Sequence, residues 1–273
     1  MVTPTTTAAP EPWLRRWRRR HVKRLGKRAI RGLASFLGAQ STVGDRPVLR
    51  TADFPWVAAI EAGYPAIRAE LDRVLEQREH LPPFQEISRD QRRITSGCRW
   101  KVYLFCGFGY RVDAHCRQCP ETARLLEAIP DMKSAWFSIL APGGKITPHR
   151  GISKGIVRLH MGLRTPRDRA QCWMRVDDQI MHWDDGRAFV FDDTYDHEVR
   201  NDSAEERVIL IVDVERPMRL FGRLVGKVFN RAIRHTAYVQ DARRKQLAWD
   251  ERLELMMDHA EAMHADEPER RPS

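Results

Sequence analysis

The sequence lacks an uninterrupted apolar run of about 18 residues, the length that a membrane-spanning helix needs, and its mean hydropathy is −0.55. It contains only five cysteines, an odd number in a chain of 273 residues, so a disulfide framework is not expected and a reducing compartment is favoured. A content of 42% hydrophobic and 31% charged residues excludes the collagenous and disordered classes. We therefore expect a cytoplasmic protein with a buried core.

Acidic side chains are absent from residues 12–44, which hold ten of the 47 Lys and Arg residues. The remaining Lys and Arg residues equal the 37 Asp and Glu residues in number, so this segment carries the whole formal net charge of +10. Apolar side chains recur at steps of three and four from Trp13 to Leu37, which predicts a basic amphipathic arm after a disordered start, together forming a first region at 1–44. An anionic membrane surface, nucleic acid and the protein's own core are open as partners of the arm, and two Trp residues among the cations favour the membrane. An organelle transit peptide would have a similar composition.

The centre of the chain changes from helical to strand-like periodicity. Residues 55–79 have the spacing of a helix packed on a core, and six short runs rich in β-branched and aromatic residues follow after about residue 98. Turn-forming clusters separate these runs, and a short helix over 121–129 is the only helical interruption that we expect. Closely spaced strands without intervening helices predict a sandwich or barrel, so we assign residues 45–217 to one mostly β domain with flanking helices.

The last region, residues 218–273, begins with a second basic amphipathic helix and ends in a mixed-charge helical tail. Apolar residues from Leu220 to Ile233 share one helical face, and no acid occurs between Arg216 and Gln240. Segments 13–37 and 218–234 therefore predict peripheral contact with an anionic membrane surface at the inner face of the membrane. Nucleic acid is the less favoured partner.

Two of the ten histidines stand where strands end, and these two carry the chemical argument. His149 follows the turn Pro142-Gly-Gly-Lys, and His197 lies between two predicted strands. Neutral imidazoles suit Fe(II), and non-haem iron oxygenases use two His and one carboxylate on one face of the metal. The position two after His149, where such a carboxylate usually stands, is Gly151.

Strand periodicity sorts the polar neighbours of these histidines. Arg158 and His160 are two residues apart and share a strand face, and Ser138 shares a face with Trp136. A buried Arg or His is costly unless an anion meets it. Arg207 follows the Asn201-Asp-Ser turn, which we expect to form a hairpin that returns alongside His197. Arg can bind a carboxylate through two parallel hydrogen bonds.

Four segments in this order resemble the aspartyl/asparaginyl β-hydroxylase family, in its bacterial type, over about residues 98–217. The segments are Ser138-Ile-Leu-Ala-Pro-Gly-Gly-Lys-Ile-Thr-Pro-His149, Val157-Arg-Leu-His-Met-Gly-Leu163, Phe191-Asp-Asp-Thr-Tyr-Asp-His-Glu-Val199 and Arg207-Val-Ile-Leu-Ile-Val-Asp-Val214. The resemblance implies a double-stranded β-helix, a jelly-roll or cupin-like barrel. It also implies a dioxygenase that uses Fe(II), 2-oxoglutarate and O₂ to hydroxylate an unactivated C–H bond.

The resemblance further implies a role for each matched residue. His149 and His197 would ligate the iron, and Asp193 would hydrogen-bond a metal-bound water. Four more residues would bind 2-oxoglutarate, Arg207 and Ser138 at the carboxylate far from the metal, Arg158 and His160 at the near one. Peptide hydroxylases of the family are themselves known for a two-His site, which agrees with Gly151.

The acceptor stays open between an Asp- or Asn-type peptide side chain and a membrane-lipid acyl chain. In the peptide hydroxylases an Arg that helps to bind the substrate carboxylate stands where this chain has Ile156. Bacterial relatives in the wider family hydroxylate the acyl chains of lipid A or ornithine lipids, and the lipid A enzymes typically carry Asp where this chain has Gly151. A vacant third-ligand position could also admit chloride, so halogenation is a variant of the same chemistry. The alternative from another class is a catalytically inactive cupin-like barrel that binds an anionic membrane or nucleic acid.

The lone pair Cys116 and Cys119 offers either a small loop disulfide or two free thiols, because a zinc site would need a second such pair. His115 beside them is a weak candidate for a third metal ligand.

Overall fold

The computed structural model describes residues 31–87, 94–95, 99–107, 110–151, 153–236 and 239–249. The predicted disordered start, the basic arm up to residue 30 and the tail after residue 249 lie outside these ranges. Residues 31–40 form helix α1, so the described part of the predicted arm is helical and continues three residues beyond Leu37. Within the described ranges no helix combines the length and the apolar character that crossing a bilayer requires.

Two antiparallel sheets form the body of the protein. Their strands are β1 (Val48–Leu49), β2 (Trp100–Gly107), β3 (Tyr110–Arg111), β4 (Met132–Leu140), β5 (Gly144–His149), β6 (Ile156–Arg164), β7 (Cys172–Val176), β8 (Gln179–Met181), β9 (Ala188–Phe191), β10 (His197–Asn201) and β11 (Arg207–Glu215). The larger sheet has the strand order β1-β9-β6-β11-β4-β2-β3, and the smaller has the order β5-β10-β7-β8. This architecture confirms the predicted mostly β fold with flanking helices, a double-stranded β-helix.

Helices precede, interrupt and follow the sheets. They are α2 (Val57–Ala62), α3 (Tyr64–Glu76), α4 (Phe84–Ile87), α5 (Asp113–Gln118), α6 (Pro120–Glu127), α7 (Leu220–Arg234) and α8 at residues 239–249. The lead-in predicted over 55–79 is two helices that meet at Gly63, with proline in the first turn of α3. The predicted helix at 121–129 is α6, and the short α5 before it was not expected.

Each face of the large sheet packs against a different layer. On β4, Trp136 and Leu140 point towards the small sheet, while Phe137 and Ile139 belong to the core formed with α2, α3 and α6. The alternation follows from the two-residue period of a strand. Burying one large apolar side chain in either layer contributes about 1.5–3 kcal/mol. The polar residues of the site lie on the face towards the small sheet, so the helical layer supports them from behind.

The hairpin expected between β10 and β11 is wrong, because the two strands belong to different sheets. β11 pairs with β4 and β6 in the large sheet, whereas β10 pairs with β5 and β7 in the small one. All but one residue of β11 is buried, which a central strand covered on both faces requires, whereas β10 alternates between buried and partly exposed positions. The crossing is held by Asn201, whose amide donates hydrogen bonds to the carbonyl oxygens of Leu140 at 3.1 Å and Glu205 at 2.9 Å.

Candidate active site

A cavity of about 730 Å³ lies between the two sheets, and residues of α7 and α8 contribute to its wall. The structure brings all seven residues predicted for the site to this one cavity. They are Ser138 on β4, His149 on β5, Arg158 and His160 on β6, Asp193 after β9, His197 on β10 and Arg207 on β11. Their chemical roles stay predictions, but their convergence from six parts of the chain is a structural fact.

The two histidines face each other across neighbouring strands. His149 and His197 are register partners of β5 and β10, and their ring centroids are 4.1 Å apart. Each Nδ1 lies 2.9 Å from a backbone carbonyl oxygen two residues earlier, that of Thr147 or Tyr195. A carbonyl only accepts, so each Nδ1 carries the hydrogen, and in a neutral ring Nε2 keeps its lone pair.

Burial keeps both imidazoles neutral. It lowers the pKa of His149, and burial together with the neighbouring His149 ring lowers the pKa of His197 to about 3. Histidine binds transition metals as a neutral ring, commonly with Nδ1 donating a hydrogen bond to a carbonyl oxygen and Nε2 free to ligate. Both rings line the same cavity, so the site offers two imidazoles of this form.

Gly151 and Asp193 share one small volume beside the histidines. A Cβ atom at residue 151 would overlap the Asp193 carboxylate, and the Gly151 N–H donates a 2.6 Å hydrogen bond to the Asp193 carbonyl oxygen. The absence of a side chain at 151 therefore makes room for a carboxylate from another segment. In the part of the chain that the structure describes, no three His, Cys, Asp or Glu side chains are grouped so as to hold a metal.

Asp193 is an unusually basic carboxylate. Its burial raises its pKa to about 6, and the nearby Asp213 adds to the rise, while Arg158 with Nη2 3.5 Å away opposes it. A carboxyl group with a pKa near neutrality exchanges a proton readily under physiological conditions.

Arg158 forms an ion pair with a carboxylate of the same chain, that of Asp213. Its Nε and Nη2 donate hydrogen bonds of 2.7 and 3.0 Å to the two carboxylate oxygens of Asp213, and its guanidinium lies 5.3 Å from the Trp136 ring centroid. The sequence reasoning missed Asp213. The two-residue period of the strand could have indicated it, because Asp213 lies on the same face of β11 as Arg207 and Ile211.

Arg207 is a buried cation with incomplete hydrogen bonding. The side chain is 1% exposed, and neither Nε nor Nη2 has a hydrogen-bond partner among the described residues. Its guanidinium lies 4.9 Å from the centroid of the Trp183 ring, and burial lowers its pKa to about 10. Burying a charge without an ionic partner lowers the free energy of unfolding by several kcal/mol. Binding of an anion at this end of the cavity would offset that cost.

His160 stands in the same polar pocket among aromatic rings. Its ring lies 6.2 Å from Trp183 and 4.9 Å from Phe191, measured between centroids. Neither ring nitrogen has a hydrogen-bond partner within the described part of the chain, and burial lowers its pKa well below the usual value. A neutral imidazole always has one N–H to donate, so a ligand oxygen would satisfy it.

Ser138 is oriented by Trp100, whose Nε1 donates a 2.9 Å hydrogen bond to the serine Oγ. Because Oγ accepts that bond, its own hydrogen remains a donor towards the cavity. Ser138 lies opposite Ile209 on β11, two residues from Arg207 along that strand. Serine and arginine thus stand at the same end of the cavity.

His115 does not join the site. It lies on the helical side of the large sheet, its ring stacks on Tyr103 with centroids 3.9 Å apart, and its Nδ1 donates to the Leu104 carbonyl oxygen. Cys116 and Cys119 are buried free thiols, and burial raises the pKa of both. Of the two alternatives for this pair, the structure shows the free thiols.

Comparison with known proteins identifies the family. The sequence model for "Aspartyl/Asparaginyl beta-hydroxylase" matches residues 61–217. The chain is 39% identical over 211 residues to the ornithine lipid ester-linked acyl 2-hydroxylase of Rhizobium tropici, covering 77% of this chain and 75% of that protein. It is 30% identical over 175 residues to human aspartyl/asparaginyl beta-hydroxylase, of which it spans only 23% while 60% of this chain is covered.

A solved structure, the prolyl-4-hydroxylase of Pseudomonas putida, is 16% identical, with a TM-score of 0.40, and the alignment covers 59% of this chain and 100% of that one. The family match covers more than half of the chain and includes all seven of the predicted site residues that line the cavity. By their names, both sequence relatives are hydroxylases, and the rhizobial one is bacterial. The chain belongs to the aspartyl/asparaginyl beta-hydroxylase family, as a member of bacterial type.

Proposed function

We propose that the protein is an Fe(II)- and 2-oxoglutarate-dependent dioxygenase that hydroxylates an unactivated C–H bond in the acyl chain of a membrane lipid. The observation that carries the proposal is the buried Arg207 guanidinium with unpaired N–H groups, in the same cavity as two neutral imidazoles. A dicarboxylate that chelates a metal at one end and meets a cation at the other complements this arrangement.

The residues fit the two implied groups. His149 and His197 present two unprotonated Nε2 atoms, which would hold Fe(II). When bound, iron and 2-oxoglutarate supply the oxidising power for hydroxylation of a C–H bond by O₂, with succinate and CO₂ as the other products.

The chain's own residues bind, orient and exclude water. Arg207 and Ser138 would donate hydrogen bonds to the distal carboxylate of 2-oxoglutarate, and His160 would donate its single N–H nearer the histidine pair. Arg158, whose guanidinium is held by Asp213, would place its charge near the metal-proximal carboxylate of 2-oxoglutarate, and its Nη2 lies 3.5 Å from the Asp193 carboxylate. Asp193 would accept a hydrogen bond from a water at the site while it is ionised, and it would lose this role as the pH falls below its pKa of about 6 and the carboxyl group becomes protonated.

The wall of the cavity favours an acyl chain as acceptor. Much of the lining is apolar or aromatic, and Ile156 stands where the peptide hydroxylases have an arginine. An aliphatic side chain there removes a partner for an acidic peptide and offers contact to methylene groups. The rhizobial relative, by its name, hydroxylates the ester-linked acyl chain of ornithine lipid, which supports the same acceptor class here.

The test is turnover with isotopically labelled oxygen. Protein reconstituted with Fe(II) receives 2-oxoglutarate, ¹⁸O₂ and either ornithine lipid dispersed in detergent or a peptide containing Asp and Asn. We expect succinate formation and one ¹⁸O in the lipid acyl chain, loss of both in His149→Ala, and retention in His182→Ala, a histidine that donates to the Cys172 carbonyl outside the cavity.

Each other outcome removes part of the proposal. Succinate at the level of His149→Ala with every acceptor would reject the dioxygenase and favour the catalytically inactive barrel. Label in the peptide but not in the lipid would retain the dioxygenase and reject the acyl acceptor.

A further inference from the structure

Helix α7 presents an apolar face to solvent instead of to the protein. Leu220, Phe221, Leu224, Val225 and Val228 are exposed, and Phe221 and Val228 are each 71% exposed. At about 100° per residue they lie within an arc of roughly 140°. A surface helix of a globular protein normally buries such a face.

The buried face of α7 consists of two glycines, one asparagine and, at its end, a single large apolar residue. Gly222, Gly226, Asn230 and Ile233 are buried, and a Cβ atom at Gly222 would overlap the side chain of Gln40 at the end of α1. Asn230 accepts a 3.1 Å hydrogen bond from Ser153 Oγ. These contacts fix the rotation of the helix, so the apolar face points away from the body of the protein.

Basic side chains lie beside the apolar face. Arg223, Lys227 and Arg231 are exposed and follow one another at steps of four, and the sequence has no acid between Arg216 and Gln240. An apolar arc bordered along one edge by cations matches the interface of an anionic bilayer, where acyl chains lie beneath phosphate groups. We infer that the exposed face of α7 is a docking surface for anionic lipid membranes.

The positive charge of α7 favours an anionic bilayer over the other candidate partners of the exposed face. The chain's own segment 12–44 has ten Lys and Arg and no acid, so it would bring further positive charge to a basic helix. A second copy of α7 would do the same. An anionic lipid surface neutralises these cations, with a gain in partition of roughly fivefold for each.

The end of α7 lies at the cavity, so membrane docking would bring lipid close to the site; this role rests on the proposed function. Ile233 at the end of α7 and Thr236 just after it line the cavity that holds the histidine pair. From Leu224 to Ile233 the distance along the helix axis is about 14 Å. A bilayer at the exposed face would therefore deliver acyl chains close to the cavity wall.

The experiment measures vesicle binding of the full chain without iron or 2-oxoglutarate, so that its result does not depend on turnover. Vesicles are either phosphatidylcholine alone or an equal mixture with phosphatidylglycerol. All variants are made in a reference protein in which five arginines of the arm are replaced by glutamine, so that binding of the arm to the vesicles does not hide the contribution of α7. These five residues are Arg15, Arg16, Arg18, Arg19 and Arg20. This reference protein is called the parent. Phe221→Ser/Leu224→Ser is compared with Ile180→Ser, because Ile180 on β8 and Leu224 are both 53% exposed.

We expect the parent and Ile180→Ser to bind the mixed vesicles alike, and the double variant to bind at least about tenfold more weakly. Leu220→Ser/Val228→Ser serves as a second variant, and equal melting temperatures establish that all are folded. Equal binding of parent and both α7 variants would overturn the inference. So would a parent that is dimeric in solution, becomes monomeric on either substitution and does not bind vesicles.

Discussion

Replacing Arg207 by methionine should change stability and ligand binding in opposite directions. Arg207 is a fully buried cation that lacks a carboxylate partner among the described residues, and methionine fills a similar volume without charge. The ligand-free variant should therefore unfold at a higher temperature than the parent. The same substitution removes the donors that would hold the distal carboxylate of 2-oxoglutarate.

The structure sets the size of both effects. Burial lowers the pKa of Arg207 from 12.5 to about 10, which corresponds to about 3 kcal/mol of unfavourable burial of the charge. The contact with the Trp183 ring returns about 2 kcal/mol, so removing the guanidinium should stabilise the ligand-free chain by about 1 kcal/mol and raise Tm by about 2–4 °C. Loss of two charge-assisted hydrogen bonds should weaken 2-oxoglutarate binding at least about 100-fold.

Arg216→Met is the matched control for stability. Arg216 is also buried, but it pairs with the carboxylate of Asp192 and donates to the carbonyl oxygens of Gly44 and Lys154. Breaking this pair should cost about 3–5 kcal/mol. Thermal unfolding without ligand measures the stability of each variant, and the rise in Tm on adding Mn(II) and 2-oxoglutarate measures its ligand binding. A fall in the ligand-free Tm of Arg207→Met comparable to that of Arg216→Met, or a full ligand-induced rise in Tm, would refute the reasoning.

The other predictions concern Asp193, Gly151 and the buried thiols. Because burial raises the pKa of Asp193 to about 6, its protonation stabilises the folded metal-free chain below about pH 4, and this contribution disappears as the pH rises through 6. In urea titrations Asp193→Asn should therefore be about 3 kcal/mol more stable than the parent at pH 7.5 and equal to it near pH 4; a difference independent of pH would contradict this. Gly151→Asp should lower the free energy of unfolding by about 1–3 kcal/mol, because its Cβ overlaps the Asp193 carboxylate, and adding Asp193→Gly should restore most of the loss. Cys116 and Cys119 should resist alkylation in the folded chain at pH 8 and react after unfolding, as read by mass spectrometry; rapid labelling of the native protein would show that they are accessible.

Much of the site was predictable because strand periodicity is local. The two-residue period placed Arg158 and His160 on one face of β6, and Ser138 with Trp136 on one face of β4, and the structure has the same arrangement. The helical lead-in and the two-sheet architecture followed from equally local patterns of apolar residues. The family resemblance supplied the remaining step, because no local pattern states that residues 149 and 197 face each other.

The parts that sequence reasoning missed depend on contacts between distant segments. The partner of Arg158 is Asp213, 55 residues later, and only the pairing of β6 with β11 brings them together. The expected β10–β11 hairpin failed for the same reason, since a turn sequence does not specify which sheet the next strand enters. On α7 the apolar stripe was visible, but its outward direction is set by Gly222 against Gln40 and by Asn230 against Ser153.

The pair Gly151 and Asp193 shows why a missing ligand is not a vacant position. In the sequence, glycine two residues after His149 reads as the loss of a carboxylate, and a vacancy there would admit chloride. In the structure the volume above Gly151 holds the carboxylate of Asp193, whose backbone accepts the Gly151 N–H. A side chain at residue 151 would overlap the Asp193 carboxylate where it now lies, so any residue larger than glycine requires the Asp193 side chain to move. An anionic group in this volume also disfavours a second anion by like-charge repulsion, which argues for hydroxylation over halogenation.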